Sequence, residues 1–251
     1  MNRYRRSTAN REYGKPALEE CVIYLQFTPD EFDVTSLSTL MSTKLPSPLT
    51  RASLLGESSP KTEMLSLNRA GALGAKVRLE NKERTYTVQY GPGLLTLHAS
   101  QPYSGFSAFL AQSLPTIESL ASLHEGFRPT ELSLAYLDTF DLDDEQPVQL
   151  FKLFNYGFHL PHLPFQGDMV VREFEVSTQF ELQQRQRVLS LDLEGGSHGI
   201  SLFSACEARG TTLPDLSLLK DWLTESHEIL VDLFESVITD QARELMKVLD
   251  A

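Results

Sequence analysis

Residues 212–249, TLPDLSLLKDWLTESHEILVDLFESVITDQARELMKVL, follow a run of strand-like segments and are predicted to form one long amphipathic helix. At 100° per residue, the acidic side chains lie opposite a broad apolar sector. That sector contains Trp222, Leu223, Ile229, Leu230, Leu233, Phe234, Val237 and Ile238. Thr212 precedes Asp215 at a spacing typical of a helix start. One face of a helix about 45 Å long is therefore expected to cover a sheet.

The chain has 251 residues, of which 41% are hydrophobic, so it can bury one substantial core. We predict a disordered basic arm at residues 1–15 and a single α+β domain at residues 16–251. No segment is long and apolar enough to span a membrane, and no apolar run follows the N-terminal basic residues as in a signal peptide. Cys21 and Cys206 lie in apolar strand-like segments, where buried thiols are expected. These features predict a cytoplasmic protein.

The charge of the chain limits its partners. A formal net charge of -12 argues against broad attachment to nucleic acid or to anionic lipid. The exception is the N-terminal arm, which contains Arg3, Arg5, Arg6 and Arg11. This arm is either a disordered tail or a contact for an acidic partner, and the sequence leaves both interpretations open.

The order of predicted elements defines the architecture. Strands are expected at residues 21–27, 76–79, 84–90, 94–98, 131–140, 169–183, 187–194 and 199–205. Helices are expected at residues 32–45, 103–123, 148–155 and 212–249, and residues 47–75 are expected to form mainly a loop with one strand at 62–68. The order is β-α-β-β-β-α in residues 16–125 and again in 126–251. We predict a curved antiparallel sheet with helices on one face; no residue-level repeat accompanies the two halves.

Four short segments carry a resemblance to a known family. They are Pro16-Ala17-Leu18-Glu19 before the strand that ends Leu25-Gln26-Phe27, Tyr103-Ser104-Gly105-Phe106, the strand from Glu131 to Tyr136, and Ser226-His227-Glu228-Ile229 with Phe234. Together they resemble a sporadically distributed bacterial family of uncharacterised proteins of this length. The family has no established activity to carry over.

The resemblance implies two further expectations. This chain departs from the family at Asp138 and His98, where the family tends to carry Asn, so a polar site built on those Asn residues does not carry over to this chain. The patchy distribution of the family implies horizontally transferred genes, for which phage defence is a common setting.

His227 is the most distinctive polar residue of the C-terminal helix. It lies about 140° from Trp222 on the helical wheel, at the edge of the apolar sector. It is either a structural histidine that joins helix to sheet or a ligand-binding or proton-transfer group. Tyr136 and Tyr86 are expected to face the same space between helix and sheet. The predicted binding residues are therefore His227, Tyr136, Tyr86, Asp138 and His98.

No catalytic, metal or cofactor site is predicted. His159 and His162 flank a proline without a Cys or acidic partner at a fixed spacing, and the acidic run at residues 138–145 lacks the order of a calcium loop. No G-x-S-x-G, H-E-x-x-H or paired-Cys signature is present. The sequence favours a non-enzymatic role without settling the question.

Two hypotheses of function follow. The first is a non-enzymatic binding or sensing protein that acts through a protein partner, in a phage-defence locus. The alternative is a small-ligand-binding protein with an apolar pocket between the sheet and the C-terminal helix. Nucleic-acid binding is disfavoured by the acidic side chains of Glu173, Glu175 and Glu181. The sequence does not indicate the ligand, the partner or the oligomeric state.

Overall fold

The computed structural model describes residues 17–28, 49, 51–54, 75–141, 153–155, 174–183, 187–196, 199–209 and 213–246. The strands are β1 Leu18–Thr28, β2 Arg51–Leu54, β3 Val77–Glu80, β4 Tyr86–Gly91, β5 Leu94–Ser100, β6 Arg128–Asp141, β7 Phe174–Leu182, β8 Arg187–Gly196 and β9 Gly199–Arg209. The helices are α1 Phe106–Leu123, α2 Leu219–Val237 and α3 Asp240–Leu245, with a 3-10 turn at Leu216–Leu218 before α2.

All of these strands belong to one antiparallel sheet. Their order is β2-β3-β4-β5-β1-β6-β9-β8-β7, so β1 and β6 form its centre. β1 pairs with β5 on one side and with β6 on the other, and β6 pairs in turn with β9. The predicted fold class, α+β with an antiparallel sheet, is confirmed.

The alternation of β1 explains how the sheet is buried. Cys21, Ile23 and Leu25 are fully or almost fully buried and share one hydrophobic cluster with side chains of α1 and α2. Because successive strand residues point to opposite faces, these residues define the face that the helices cover. We call it the helix face, and its other side the second face.

The second face is also buried over its middle. Val22 and Ala135 lie there and are 5% and 6% exposed, and the polar residues Glu20 and His98 are each 1% exposed. The prediction of helices on one face did not anticipate this burial.

The C-terminal helix differs from its prediction. It ends at Val237, after 19 residues or about 28 Å, instead of running to residue 249. Ile238 is extended and forms an isolated antiparallel bridge with Phe154. Thr239 then caps α3, because its side chain accepts a hydrogen bond from the backbone of Ala242. The predicted long C-terminal helix is confirmed, but the prediction that it continues unbroken to residue 249 was wrong, because a backbone contact with Phe154 interrupts it while the apolar pattern of the sequence continues.

Most other predicted elements that fall within the described residues are confirmed, with shifted ends. Helix α1 begins at Phe106 and continues through Pro115. The strand β2 was not predicted, and Asp215 makes no side-chain cap at the turn before α2. The predictions at residues 32–45 and 62–68, and most of 148–155, lie outside the described residues. None of the helices in the described part is both long and apolar enough to cross a membrane.

We expect the packing of α2 to be sensitive to one buried residue. Leu230 is fully buried, whereas its neighbour Val231 is 38% exposed. Leu230→Ala should lower the free energy of unfolding by about 2 to 5 kcal/mol, because it leaves a cavity against the sheet. Val231→Ala, the matched control, should change it by less than about 0.5 kcal/mol. Urea unfolding measures both, and equal midpoints would contradict the packing described for α2.

Candidate functional site

His227 joins three elements of the fold. Its Nδ1 lies 2.6 Å from the hydroxyl oxygen of Tyr136 on β6. Its ring stacks on Phe106 at the start of α1, with centroids 4.2 Å apart and planes 12° from parallel. The sheet and both helices therefore meet at this imidazole.

Two further polar side chains border this contact. Cys21 of β1 is directly opposite Tyr136 in the register of β1 and β6, and it is fully buried. The Tyr103 hydroxyl acts on the pKa of both Cys21 and Tyr136, which places it beside them. This hydroxyl is shielded from solvent and has no hydrogen-bond partner of normal geometry among the described residues. We call Cys21, Tyr103, Phe106, Tyr136 and His227 the interior cluster.

The environment keeps the interior cluster uncharged. Burial raises the pKa of Cys21 far above its ordinary value, although hydrogen bonding to Tyr103 and Tyr136 acts in the other direction. Burial also raises the pKa of Tyr136 and lowers that of His227. A neutral thiol is a poor nucleophile, and a neutral imidazole hydrogen-bonded to a tyrosine is a stable structural contact. The cluster has the character of a binding or packing site.

Asp138 lies two residues after Tyr136 on the same face of β6. It is 6% exposed, and burial followed by the nearby charge of Glu19 raises the pKa of Asp138 to about 7. Its charge raises the pKa of both Cys21 and Tyr136, so it lies at the border of the interior cluster. Asp138 is the side chain of this region that changes charge near neutral pH.

Tyr86 shares the helix face but lies apart from His227. Its hydroxyl oxygen is 3.4 Å from Thr116 Oγ1 on α1, and its ring contacts Phe109 edge-on at 6.1 Å. Tyr86 therefore anchors α1 to β4.

His98 is on the second face, because its neighbour Ala99 is the residue that pairs with Cys21. Its Nδ1 is 2.8 Å from Glu20 Oε1, and its Nε2 is 2.8 Å from Thr96 Oγ1. The structure thus brings His227, Tyr136 and Asp138 together and separates them from Tyr86 and His98.

Strand β7 is an exposed edge that sequence reasoning identified only as a half-solvated strand. It pairs with β8 and has no second strand neighbour in the described part of the chain. Phe180 is 44% exposed, although it faces the same side as buried Leu189 in the register. Glu175 and Glu181 are exposed on the opposite side. The alternating polar and apolar residues of this strand were visible in the sequence, whereas its position at the edge of the sheet was not.

A pocket of about 340 Å³ lies at the end of β7, across β8 and β9. It is lined by Glu181, Leu182, Gln183, Arg187, Val188, Glu207 and Arg209. We call it the edge pocket. None of its residues was among the predicted site residues, because they come from three strands whose pairing the sequence does not reveal.

Both arginines of the edge pocket are held by protein groups. Arg187 is 5% exposed, its Nη2 donates to Glu225 Oε2 at 2.6 Å, and its guanidinium lies 4.9 Å from the Trp222 ring centroid. Arg209 Nη2 lies 2.9 Å from Glu131 Oε1 and 3.0 Å from Glu207 Oε2. The positive charge at this pocket is therefore already matched by carboxylates.

The described residues form no metal site. They contain no group of three or more His, Cys, Asp or Glu side chains placed to hold a metal ion. Cys21 and Cys206 are both buried free thiols, and burial raises the pKa of Cys206 as it does that of Cys21.

Comparisons with known proteins add little. No protein-family model matches the chain, and no curated protein matches it. Among solved structures, Methanococcus jannaschii TBP aligns with a TM-score of 0.29 and 11% sequence identity, over 85% of this chain and 99% of that chain. A TM-score of this size carries no argument about fold or function.

Asp138 gives an expected pH dependence. Its pKa is raised in the folded chain from 3.8 to about 7, so the folded state holds a proton that the unfolded state releases near pH 4. The stabilisation is present below pH 4 and is lost as pH rises to about 7. Asp138→Asn should remove this loss, which is about 4 kcal/mol over the whole range and about 3 kcal/mol between pH 5 and pH 8.

Urea unfolding of the parent and of Asp138→Asn at about pH 5 and about pH 8 measures this effect. Asp221→Asn, at an exposed position, is the control. A parent and an Asp138→Asn variant with the same pH profile would show that Asp138 is charged throughout.

Proposed function

We propose that this protein is a non-enzymatic binding or sensing protein that acts through a protein partner, and that strand β7 is its contact surface. The observation that carries the proposal is the position of β7 at the end of the sheet, where no further strand of the described residues pairs with it. This edge is nine residues long, whereas β2 at the other end of the sheet has four. Short edge strands are a common protection against unwanted pairing, and β7 lacks that protection.

The backbone of β7 supplies the first part of the argument. An edge strand presents N–H and C=O groups that can extend the sheet by one more strand. Each such hydrogen bond adds a net of about 0.5 to 1.5 kcal/mol, so several in a row give useful affinity.

The side chains of β7 indicate the kind of partner. Phe180 and Val176 share one face of the strand, and Glu175 and Glu181 share the other. An antiparallel pairing of two copies centred on Thr178 would place Glu175 opposite Glu181, and like charges directly opposite are destabilising. A different protein with a basic extended segment avoids this repulsion. The net charge of -12 of this chain would also attract a basic partner.

The interior cluster supports a non-enzymatic role. Its thiol and imidazole are held neutral by burial, and His227 is occupied by Tyr136 and Phe106. Such a cluster fixes the position of α2 on the sheet, and the exposed surface for recognition lies elsewhere.

We also propose that residues 16–125 and 126–251 are pseudo-repeats that form one curved sheet. The pairing pattern supports this, because β1 pairs with β5 as β6 pairs with β9, and β1 and β6 pair with each other antiparallel. A phage-defence setting rests on the family resemblance alone. Its test is gene neighbourhood, in which scattered metabolic neighbours would count against it.

The second candidate is a small-ligand-binding protein with its site between the sheet and the C-terminal helix. One observation favours it, the buried Tyr103 hydroxyl without a hydrogen-bond partner of normal geometry among the described residues. A ligand that bonds to this hydroxyl should raise the melting temperature of the parent in a small-molecule screen, and Tyr103→Phe should lose that rise. An unchanged rise in Tyr103→Phe would place the ligand elsewhere.

The edge-strand proposal is tested by site-specific photo-crosslinking in the native host cell. A benzophenone amino acid is placed at Phe180 of β7, or at Leu218, which is 53% exposed but lies before α2. We expect one discrete protein adduct from position 180 and none from 218, identified by mass spectrometry. Equal adducts from both positions, or none from 180, would overturn the proposal.

A further inference from the structure

The edge pocket lies where a strand added to β7 would end. Leu182 pairs with Arg187, and Glu181 pairs with Val188, which pairs in turn with Glu207. The pocket therefore spans three neighbouring strands at one end of the sheet. Its volume of about 340 Å³ is at the small end of ligand sites and suits a single long side chain.

The lining of the edge pocket selects a cationic side chain. Leu182 and Val188 supply aliphatic surface, and Glu181 supplies a carboxylate, whereas the Glu207 carboxylate is already paired with Arg209. Glu181 makes no ion pair with any described residue, whereas Arg187 and Arg209 are already paired. A long aliphatic stem with a charged end, as in lysine or arginine, matches this combination.

An anionic occupant is disfavoured by how the Arg187 guanidinium is placed. Its Nη2 donates to Glu225, and its Nε and Nη1 atoms, which have no hydrogen-bond partner among the described residues, are shielded from solvent, so an occupant of the pocket does not reach them. The guanidinium also lies over Trp222. An anion in the pocket would instead lie beside the carboxylate of Glu181, which is unpaired among the described residues, at a cost in repulsion.

The pleat of β7 sets the spacing of the partner. Glu175 and Glu181 are six residues apart on one face, so the residues opposite them in an added strand are also six apart. The residue next to the one that faces Glu181 lies on the other face, opposite Phe180, where an apolar side chain is favoured.

We propose that β7 receives an extended segment of a partner protein that carries two lysines or arginines six positions apart. One of these side chains enters the edge pocket beside Glu181, the second lies opposite Glu175, and the residue adjacent to the first is apolar and covers Phe180. This inference rests on the proposed function, because it specifies the partner of the same strand.

The test uses synthetic fluorescein-labelled peptides and the full chain. In the peptide TKVTVTVKT the lysines face Glu181 and Glu175 in an antiparallel pairing, and the first valine faces Phe180. The control peptide TEVTVTVET has the same β propensity and the opposite charge. Fluorescence polarisation should show binding of the lysine peptide that weakens with salt, and no binding of the glutamate peptide.

Two variants of the protein locate the binding. Glu181→Gln should weaken binding of the lysine peptide by about fivefold, the scale of one lost ion pair. Glu118→Gln, an exposed acid on α1, should leave it unchanged. Equal binding of both peptides, equal effects of the two variants, or no binding at about millimolar peptide would overturn the inference.

The photo-crosslinking experiment separates this inference from the proposed function. A partner that crosslinks at position 180 but lacks two basic residues six apart in the attached segment would refute the inference and leave the proposed function standing. Absence of any adduct at 180 would remove both.

Discussion

The pairing of β1 with β6 is the contact on which the rest of the structure depends. It joins the two parts of the sheet at their centre, in a register that runs from Leu18 opposite Asp138 to Thr28 opposite Arg128. Because the strand period is two, a shift of one residue would move Cys21 and Ile23 from the helix face to the second face. Such a shift would also move Glu20 from its partner His98 on the second face into the apolar helix face, so the register is strongly specified.

The interior cluster fixes the positions of the helices α1 and α2 on the sheet. Leu223 and Leu230 are fully buried and pack α2 against the sheet, yet apolar contacts alone tolerate small rotations of a helix. The hydrogen bond between His227 and Tyr136 does not tolerate such rotations, because a buried polar atom left unpaired costs about 1 to 3 kcal/mol. Stacking of Phe106 on the same imidazole fixes α1 relative to α2.

The sequence predicted those parts of the fold that depend on local periodicity and missed those that depend on distant contacts. The alternation of polar and apolar residues in β6 and β7 and the apolar stripe of α2 were visible in the sequence. The break at Ile238 was not, because it is caused by a bridge to Phe154. His227 and Tyr136 could each be singled out, but their contact joins residues 91 positions apart. The face of His98 and the edge pocket likewise required the strand register.

Arg187 connects the exposed edge to the interior of the molecule. It lines the edge pocket, and its guanidinium is bound by Glu225 and Trp222 of α2, two residues that lie within one and a half turns of His227. A side chain that entered the pocket would therefore contact a group whose other partners are on α2. A change in the strength of the Arg187–Glu225 pair would alter the stability of α2, since removing one partner leaves a buried charge unpaired. The edge proposed for recognition and the helix that closes the core share this one arginine, so binding at the edge would have a physical path to the core in the proposed sensing role.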